Sequence, residues 1–258
     1  MADPIVIVPS RAALKRVRGG RDGLYPFLEL LSPDVTQIIP PAIGEFGGDT
    51  LHAGFQSTAS GAASVAAAIS TGSVNGAILL DAGTANDGRS DLSWGLHAQG
   101  QLNCVIYCRM QINTITAVKF EIGFTDVVSG TDAGAVDDLS VPSFNANNFV
   151  GWVFDTDDTA NLQGAGNRGG VVATKVEDAS IVNAAAAVYQ TYVVAVRDAS
   201  AQFRLLNVDG REIYRSDWMT NAVSLNTNLT PWVFVQNRSG SQRTMLIDTL
   251  LCWQRRTT

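Results

Sequence analysis

The sequence predicts an all-β chain: an antiparallel two-sheet sandwich of the jelly-roll kind, with an extended N-terminal arm. Three observations carry this. Residues 102–112 (LNCVIYCRMQI) and 116–125 alternate apolar and polar side chains with a period of two, so each is a long strand with one dry face. QFRLLNV and REIYRSD flank the dipeptide Asp209-Gly210, a hairpin signature. Short apolar runs separated by turn residues recur along the chain, with little helical periodicity.

Composition sets the class. Of 258 residues, 46% are hydrophobic and only 16% charged, so a sizeable core is covered largely by Ser, Thr, Asn, Gln and Gly. The net charge of −6 argues against bulk nucleic-acid binding, which requires a basic face. MADPIVIVPS has no basic n-region and only Ile5, Val6, Ile7 and Val8 as an apolar run, so it reads as no signal peptide. No apolar run approaches the ~18 residues of a membrane span. Cys104 and Cys108 share a strand face roughly 13 Å apart by strand rise, too far for a disulfide. Both, like Cys252, read as small buried hydrophobes of a protein made in a reducing cytoplasm.

In chain order, residues 10–20 read as a short helix, started by Pro9 and Ser10 and stopped by Gly19 and Gly20. Arg11, Lys15 and Arg18 fall on one of its faces. With Arg16 and Arg21 they put five of the 18 basic residues into a stretch without an acid, which leaves 13 basic against 24 acidic residues, a net of −11, elsewhere. The functional reading is an anchor for an acidic partner or nucleic acid; the plain one is a solvated terminus. Leu24, Tyr25, Phe27 and Leu28 follow and are too apolar for a free tail. Pro26, Pro33, Pro40 and Pro41, half of the eight prolines, then forbid a long helix or a central strand. The expectation is an arm over residues 1–48 that crosses the body or a neighbour, and a sandwich domain over 49–258.

Residues 62–69 are helical by propensity, yet Gly61, Ser64, Ser70 and Gly72 crowd them, so a small-residue strand or loop is the rival. Residues 76–81 (GAILLD) read as a strand and 84–88 as a turn. The long strands 102–112 and 116–125 are expected side by side in the middle of one sheet whose second face meets water or a partner. A loop over 127–148, a strand over 149–155, an Asp- and Gly-rich loop over 156–170, and strands over 171–176 and 188–197 follow. The hairpin is expected to have a two-residue type I′ turn that pairs Leu206 with Ile213 and Leu205 with Tyr214. Strands over 232–236 and 245–253 close the chain.

From about residue 51 onward, YQTYVVAVRDASAQFRLLNVDGREIYRSD (189–217) and the closing MLIDTLLCWQRR resemble the concanavalin A-like, laminin G-like jelly rolls. The resemblance implies a strand leading into an Asp-Gly hairpin, and a last strand lying beside the N-terminal one. FEIGFTD (120–126) and GWVFDTDD (151–158) resemble segments common in bacteriophage virion proteins with this domain.

Glycosidases of the superfamily need two carboxylates flanking the scissile bond, and related β-glucanases share an E-x-D-x-x-E strand. This chain offers only Glu121, with Lys119 before it and Gly123 after, and reads as half of a solvated or interfacial same-face pair. Asp155, Asp157 and Asp158 are candidate hard-oxygen ligands for calcium, as laminin G-like domains and legume lectins imply; Asp132, Asp137 and Asp138 are a second set, and solvated turns the alternative. His52 and His97 have no Cys or second His nearby and read as packing positions. Trp94, Trp152, Trp218, Trp232 and Trp253 are sugar-stacking candidates or, more commonly, core fillers. Gly164-x-Gly166-x-x-Gly169 matches a phosphate-loop pattern but has no helix after it.

The expectation is a non-enzymatic virion structural protein of the capsid-decorating or head-surface kind. It would be made in the host cytoplasm and assemble with copies of itself and other virion proteins such as the major capsid protein. The alternatives are a tail-fibre or spike module that binds host surface glycan, a glycan-degrading enzyme, and a capsid protein whose basic arm touches genome.

Overall fold

The computed structural model describes the backbone of residues 36–38 and 255 and, with side chains, residues 51, 53–70, 76–127, 134–173, 175–176 and 181–254. The expected helix over 10–20, the arm residues Arg11, Lys15, Arg16, Arg18, Arg21, Leu24, Tyr25, Phe27 and Leu28, and also His52 and Asp132, lie outside the described residues.

The described strands are, in chain order, β1 (Thr36–Ile38), β2 (Ala59–Ser60), β3 (Val65–Ile69), β4 (Ile78–Asp81), β5 (Arg89–Ser93), β6 (Ala98–Gln99), β7 (Val105–Ile112), β8 (Val118–Thr125) and β9 (Val136–Asp138). After them come β10 (Ser143–Phe144), β11 (Asn148–Asp155), β12 (Gln163–Arg168), β13 (Val171–Val172), β14 (Gln190–Arg197), β15 (Ser200–Leu206), β16 (Glu212–Arg215), β17 (Asn228–Asn237) and β18 (Thr244–Arg255). One 3₁₀ turn, Gly100–Leu102, precedes β7. No helix among the described residues is long and apolar enough to cross a membrane.

Two eight-stranded antiparallel sheets stack face to face. The first runs β16-β15-β14-β7-β18-β4-β3, with β1 also on β18; the second runs β13-β12-β11-β8-β17-β5-β2, with β6 also on β17. The all-β jelly-roll sandwich expected from the sequence is therefore the fold. β1, within the expected arm, lies antiparallel to the end of the last strand, Thr36 opposite Arg255 and Ile38 opposite Trp253.

The core forms where the alternating faces meet. Ile106, Cys108 and Met110 of β7 and Val194 of β14 face Val118, Phe120, Ile122, Val150 and Trp152 of the second sheet, all buried in one cluster. Phe120 stacks on Phe154 with centroids 5.3 Å apart and meets the edge of Tyr192 at 5.6 Å. The Trp152 indole N–H, deep in this apolar layer, donates to the carbonyls of Val193 and Arg204 at 3.2 and 3.3 Å, because a buried donor without an acceptor is costly. Trp94, Trp152 and Trp232 are all fully buried.

Several expectations are corrected. The strands 102–112 and 116–125 are not neighbours: β7 belongs to the first sheet and β8 to the second. Alternation specifies which face is dry, not which strand lies alongside. The turn at 113–117, with Ala117 at φ 49, lifts the chain across the core so that the two dry faces oppose each other. Nor are their second faces open to water: Val105 and Tyr107 of β7 and Lys119, Glu121 and Thr125 of β8 are buried. Residues 65–69 take the strand alternative, as β3 on β4. The expected loop over 127–148 contains the small hairpin of β9 and β10, and that over 156–170 contains β12, so Gly164 and Gly166 are strand residues. The expected strand over 171–176 is only β13, followed by a bridge from Val176 to Gly164. β5, RSDLS, is too polar to read as a strand. Leu92 nevertheless points into the core, while the Asp91 carboxylate accepts the Thr58 amide at 3.0 Å and the Thr58 hydroxyl at 2.5 Å.

The hairpin of β15 and β16 exists, but its turn is of another type. The Asn207 carbonyl accepts the Gly210 amide at 3.0 Å, and Gly210 alone among the turn residues has positive φ, 78°. This is a type I turn closed by a left-handed glycine that forms a bulge. Leu205 pairs with Tyr214 as expected, whereas the bulge puts Leu206 opposite Glu212 rather than Ile213.

Candidate functional site

The outer face of the second sheet is where the acidic candidates converge. Period-two alternation directs Lys119 and Glu121 of β8, Asp155 of β11, and Trp232 and Phe234 of β17 away from the core. The register puts Lys119 opposite Asp155 and Gln236, and Glu121 opposite Val153 and Phe234.

This face is closed. The hairpin of β9 and β10 lies across it and buries Ala135, Val136 and Leu139 against Phe149, Val153, Ala165, Trp232 and Phe234 in a second apolar cluster. Beneath the hairpin, Glu121 is fully buried. Its carboxylate accepts the Ala135 amide at 2.8 Å, the Val136 amide at 3.1 Å and the Trp232 indole N–H at 2.8 Å. Lys119 Nζ, equally buried, stands 3.4 Å from Glu121 and donates to the carbonyl oxygens of Val136 and Asp137. Gly134 permits this approach: at φ +96, a Cβ there would collide with the Glu121 carboxylate. Glu121 is thus not half of a solvated pair. It is a structural acid whose carboxylate oxygens are used by the hairpin's backbone and Trp232, and the nearby Asp155, which shares Lys119 Nζ at 4.0 Å, is itself taken up by Arg238.

The three aspartates proposed for calcium are not brought together as a ligand set, and the described residues hold no cluster of three or more acidic, His or Cys side chains suited to a metal. Asp155 gives both oxygens to the Arg238 guanidinium, Nε at 3.2 Å and Nη2 at 2.5 Å. Asp157 approaches the same Arg238 at 3.4 Å and otherwise faces water. Asp158 turns away to cap the Leu139 amide at 3.0 Å; burial and the neighbouring Asp138 raise its pKa, which makes it a poorer anion. Calcium takes six to eight oxygens at about 2.3–2.6 Å, so residues already engaged by a guanidinium do not fit it. Of the second set, Asp137 bonds the Ser143 hydroxyl and Asp138 caps the 138–141 turn.

Arg238 and Arg243 are the residues that sequence reasoning missed. Burial works against the charge of Arg238, but the hydrogen bonds and charge of Asp155, then Asp157 and Asp87, raise its pKa. Arg243 donates to the carbonyls of Thr116, Ala117, Ser241 and Gln242. The signal available was an Arg at each end of the turn RSGSQR between two apolar strands. Burial pushes Cys104 up to about 12 and raises Cys108 and Cys252 as well, so these free thiols are inert core members. His97 is exposed.

No family model matches the chain, and no curated protein matches it in sequence. Solved structures do. Peanut lectin superposes with a TM-score of 0.56 at 13% identity, covering 86% of this chain and 99% of the lectin. The fold is the lectin-type, concanavalin A-like jelly roll. A protein of unknown function from Shewanella oneidensis MR-1 matches with a TM-score of 0.55 at 9% identity, over 96% of this chain and 95% of that one. The exoplasmic/lumenal domain of VIP36, in a form bound to Ca2+ and Man3GlcNAc, matches with a TM-score of 0.51 at 10% identity, over 80% and 85%.

Proposed function

We propose that this chain is a non-enzymatic virion structural protein of the capsid-decorating kind, which acts by assembly with copies of itself and with other virion proteins such as the major capsid protein. One observation carries the reading: the outer face of the second sheet, on which its acids converge, is filled by the chain's own β9 and β10, and the one acid of the glucanase-like strand, Glu121, is consumed by backbone amides and Trp232. A carboxylate held in this way cannot protonate a glycosidic oxygen or attack a sugar. The likeness of 120–126 and 151–158 to virion segments supports the assignment to a particle. The reading needs no cofactor, and calcium at Asp155, Asp157 and Asp158 is no part of it. The deciding experiment is imaging of purified particles with and without the protein, together with their resistance to heat and osmotic shock. Density on the capsid surface and weaker shells on omission are expected. A location at the tail tip, with normal heads, would overturn the proposal.

The second reading, a tail-fibre or spike module for host glycan, is favoured by the likeness to peanut lectin and to the glycan-bound VIP36 domain. Tight, selective binding on a glycan array would favour it over capsid decoration.

A further inference from the structure

Three connections cross between the sheets at one end of the sandwich: 82–88 from β4 to β5, 113–117 from β7 to β8, and 238–243 from β17 to β18. Arg238, the residue after β17, reaches all of this end. Its amide donates to the Ala117 carbonyl at 2.9 Å, in the second connection. Its guanidinium takes Asp155 at two points, at 2.5 and 3.2 Å, and Asp87 of the first connection at 3.3 Å. Asp157, in the loop after β11, adds a fourth approach at 3.4 Å.

Acids outnumber cations here: Asp87, Asp155, Asp157 and Glu121 meet Arg238 and Lys119. Asp155 is buried and has Lys119 Nζ at 4.0 Å as well as Arg238. Asp87 and Asp157 are well exposed, so water screens their share. A planar guanidinium presents five donors in a fixed fork and so serves several carboxylates at once, in the manner of a metal ion. A divalent ion placed on Asp155 would have to displace the fork or sit against it.

We propose that Arg238 is the resident cation of this acidic loop cluster: a guanidinium built into the chain does here what a loop-bound divalent ion would do, so this end of the sandwich closes without metal. The inference is independent of the virion reading, because it concerns how the jelly roll is held shut in any role.

The test uses the full chain and two readouts, thermal melting and hydrogen exchange of the peptides covering 82–88 and 155–162, each in excess EDTA and in millimolar calcium chloride. The wild type should melt at the same temperature and exchange at the same rate in both. Arg238→Gln, which removes the charge, should melt several degrees lower in EDTA and exchange faster in both peptides. Arg238→Lys, which keeps the charge but loses the two-point contact, should fall between them. A wild-type melting temperature that drops in EDTA and recovers with calcium, with slower exchange in those peptides, would overturn the proposal without recourse to any variant. So would an Arg238→Lys or Arg238→Gln chain that melts and exchanges as the wild type does.

Discussion

Glu121 looks like a surface acid in the sequence and is one of the most deeply buried groups in the fold. Its environment changes what a substitution there should do. Glu121→Gln puts an amide N–H₂ among three N–H donors and leaves the buried Lys119 ammonium without its carboxylate. Breaking a buried pair on one side costs about 3–5 kcal/mol. Urea denaturation should therefore show a large loss of stability, against the near-neutral effect expected of a solvated acid; an unchanged midpoint would place Glu121 in water. The thiols make a second residue-scale prediction, for alkaline pH. Burial raises Cys104 from 9.0 to about 12, and Cys108, Cys252 and Tyr192 are raised as well. The folded chain then holds protons that the unfolded chain releases, so this stability is complete below the unfolded values and is lost as pH climbs through the folded ones. The urea midpoint should fall steadily from about pH 9 toward pH 12. In a chain with all three cysteines replaced by Ala the slope should be shallower, and an equal slope would mean that the thiols are not buried.

At the scale of elements, periodicity assigned faces correctly and neighbours less well. Period-two alternation puts Ile106 and Phe120 on the dry faces of 102–112 and 116–125, and both are buried in the core. The same alternation puts Tyr107 on the second face, expected to meet water or a partner, yet it is buried with Val105, Val193 and Leu206 in a third apolar cluster on the outer side of the first sheet. A period of two says that two faces differ; it does not say that the more polar one is wet. The turn of β15 and β16 illustrates the same limit. Asp209-Gly210 announced a hairpin, but whether the chain turns in two residues or in three with a bulge depends on how Asn207 bonds Gly210 and Arg211. In either geometry Gly210 has positive φ, here 78°. Gly210→Val should cost about 1–2 kcal/mol, since a branched side chain resists the left-handed region. Thermal melting would measure it, and a silent substitution would contradict the turn.

For the molecule as a whole, the arm is the element expected to drive assembly. Residues 1–48 hold Leu24, Tyr25, Phe27 and Leu28 beside five basic residues, and β1 within them is laid along the end of β18. Burial of such side chains is favourable by roughly 25 cal/mol per Å². Attraction from the basic residues is screened within ~10 Å at 0.1 M salt. Removal of 1–48 should leave a folded β domain by circular dichroism, because the remaining strands of both sheets and the main core cluster come from residues after 48. The same chain should fail to assemble in analytical ultracentrifugation. Unfolding on truncation would make the arm part of the core, and full assembly would make it a tail.

The sequence by itself determined the class of fold, the dry face of each long strand, the hairpin after Gln202 and the inert character of the cysteines. Each of these depends on side-chain alternation or on local backbone chemistry within a few residues. Only the tertiary structure decided that β7 and β8 face each other across the core, that the hairpin of β9 and β10 closes the outer face over Glu121, and that Arg238 answers Asp155. Those pairings join residues far apart along the chain, such as Trp232 with Glu121 and Arg238 with Asp155. No local pattern encodes them, because a carboxylate reads the same in a sequence whether water, a backbone amide or a guanidinium meets it; only the packing of distant strands selects the partner.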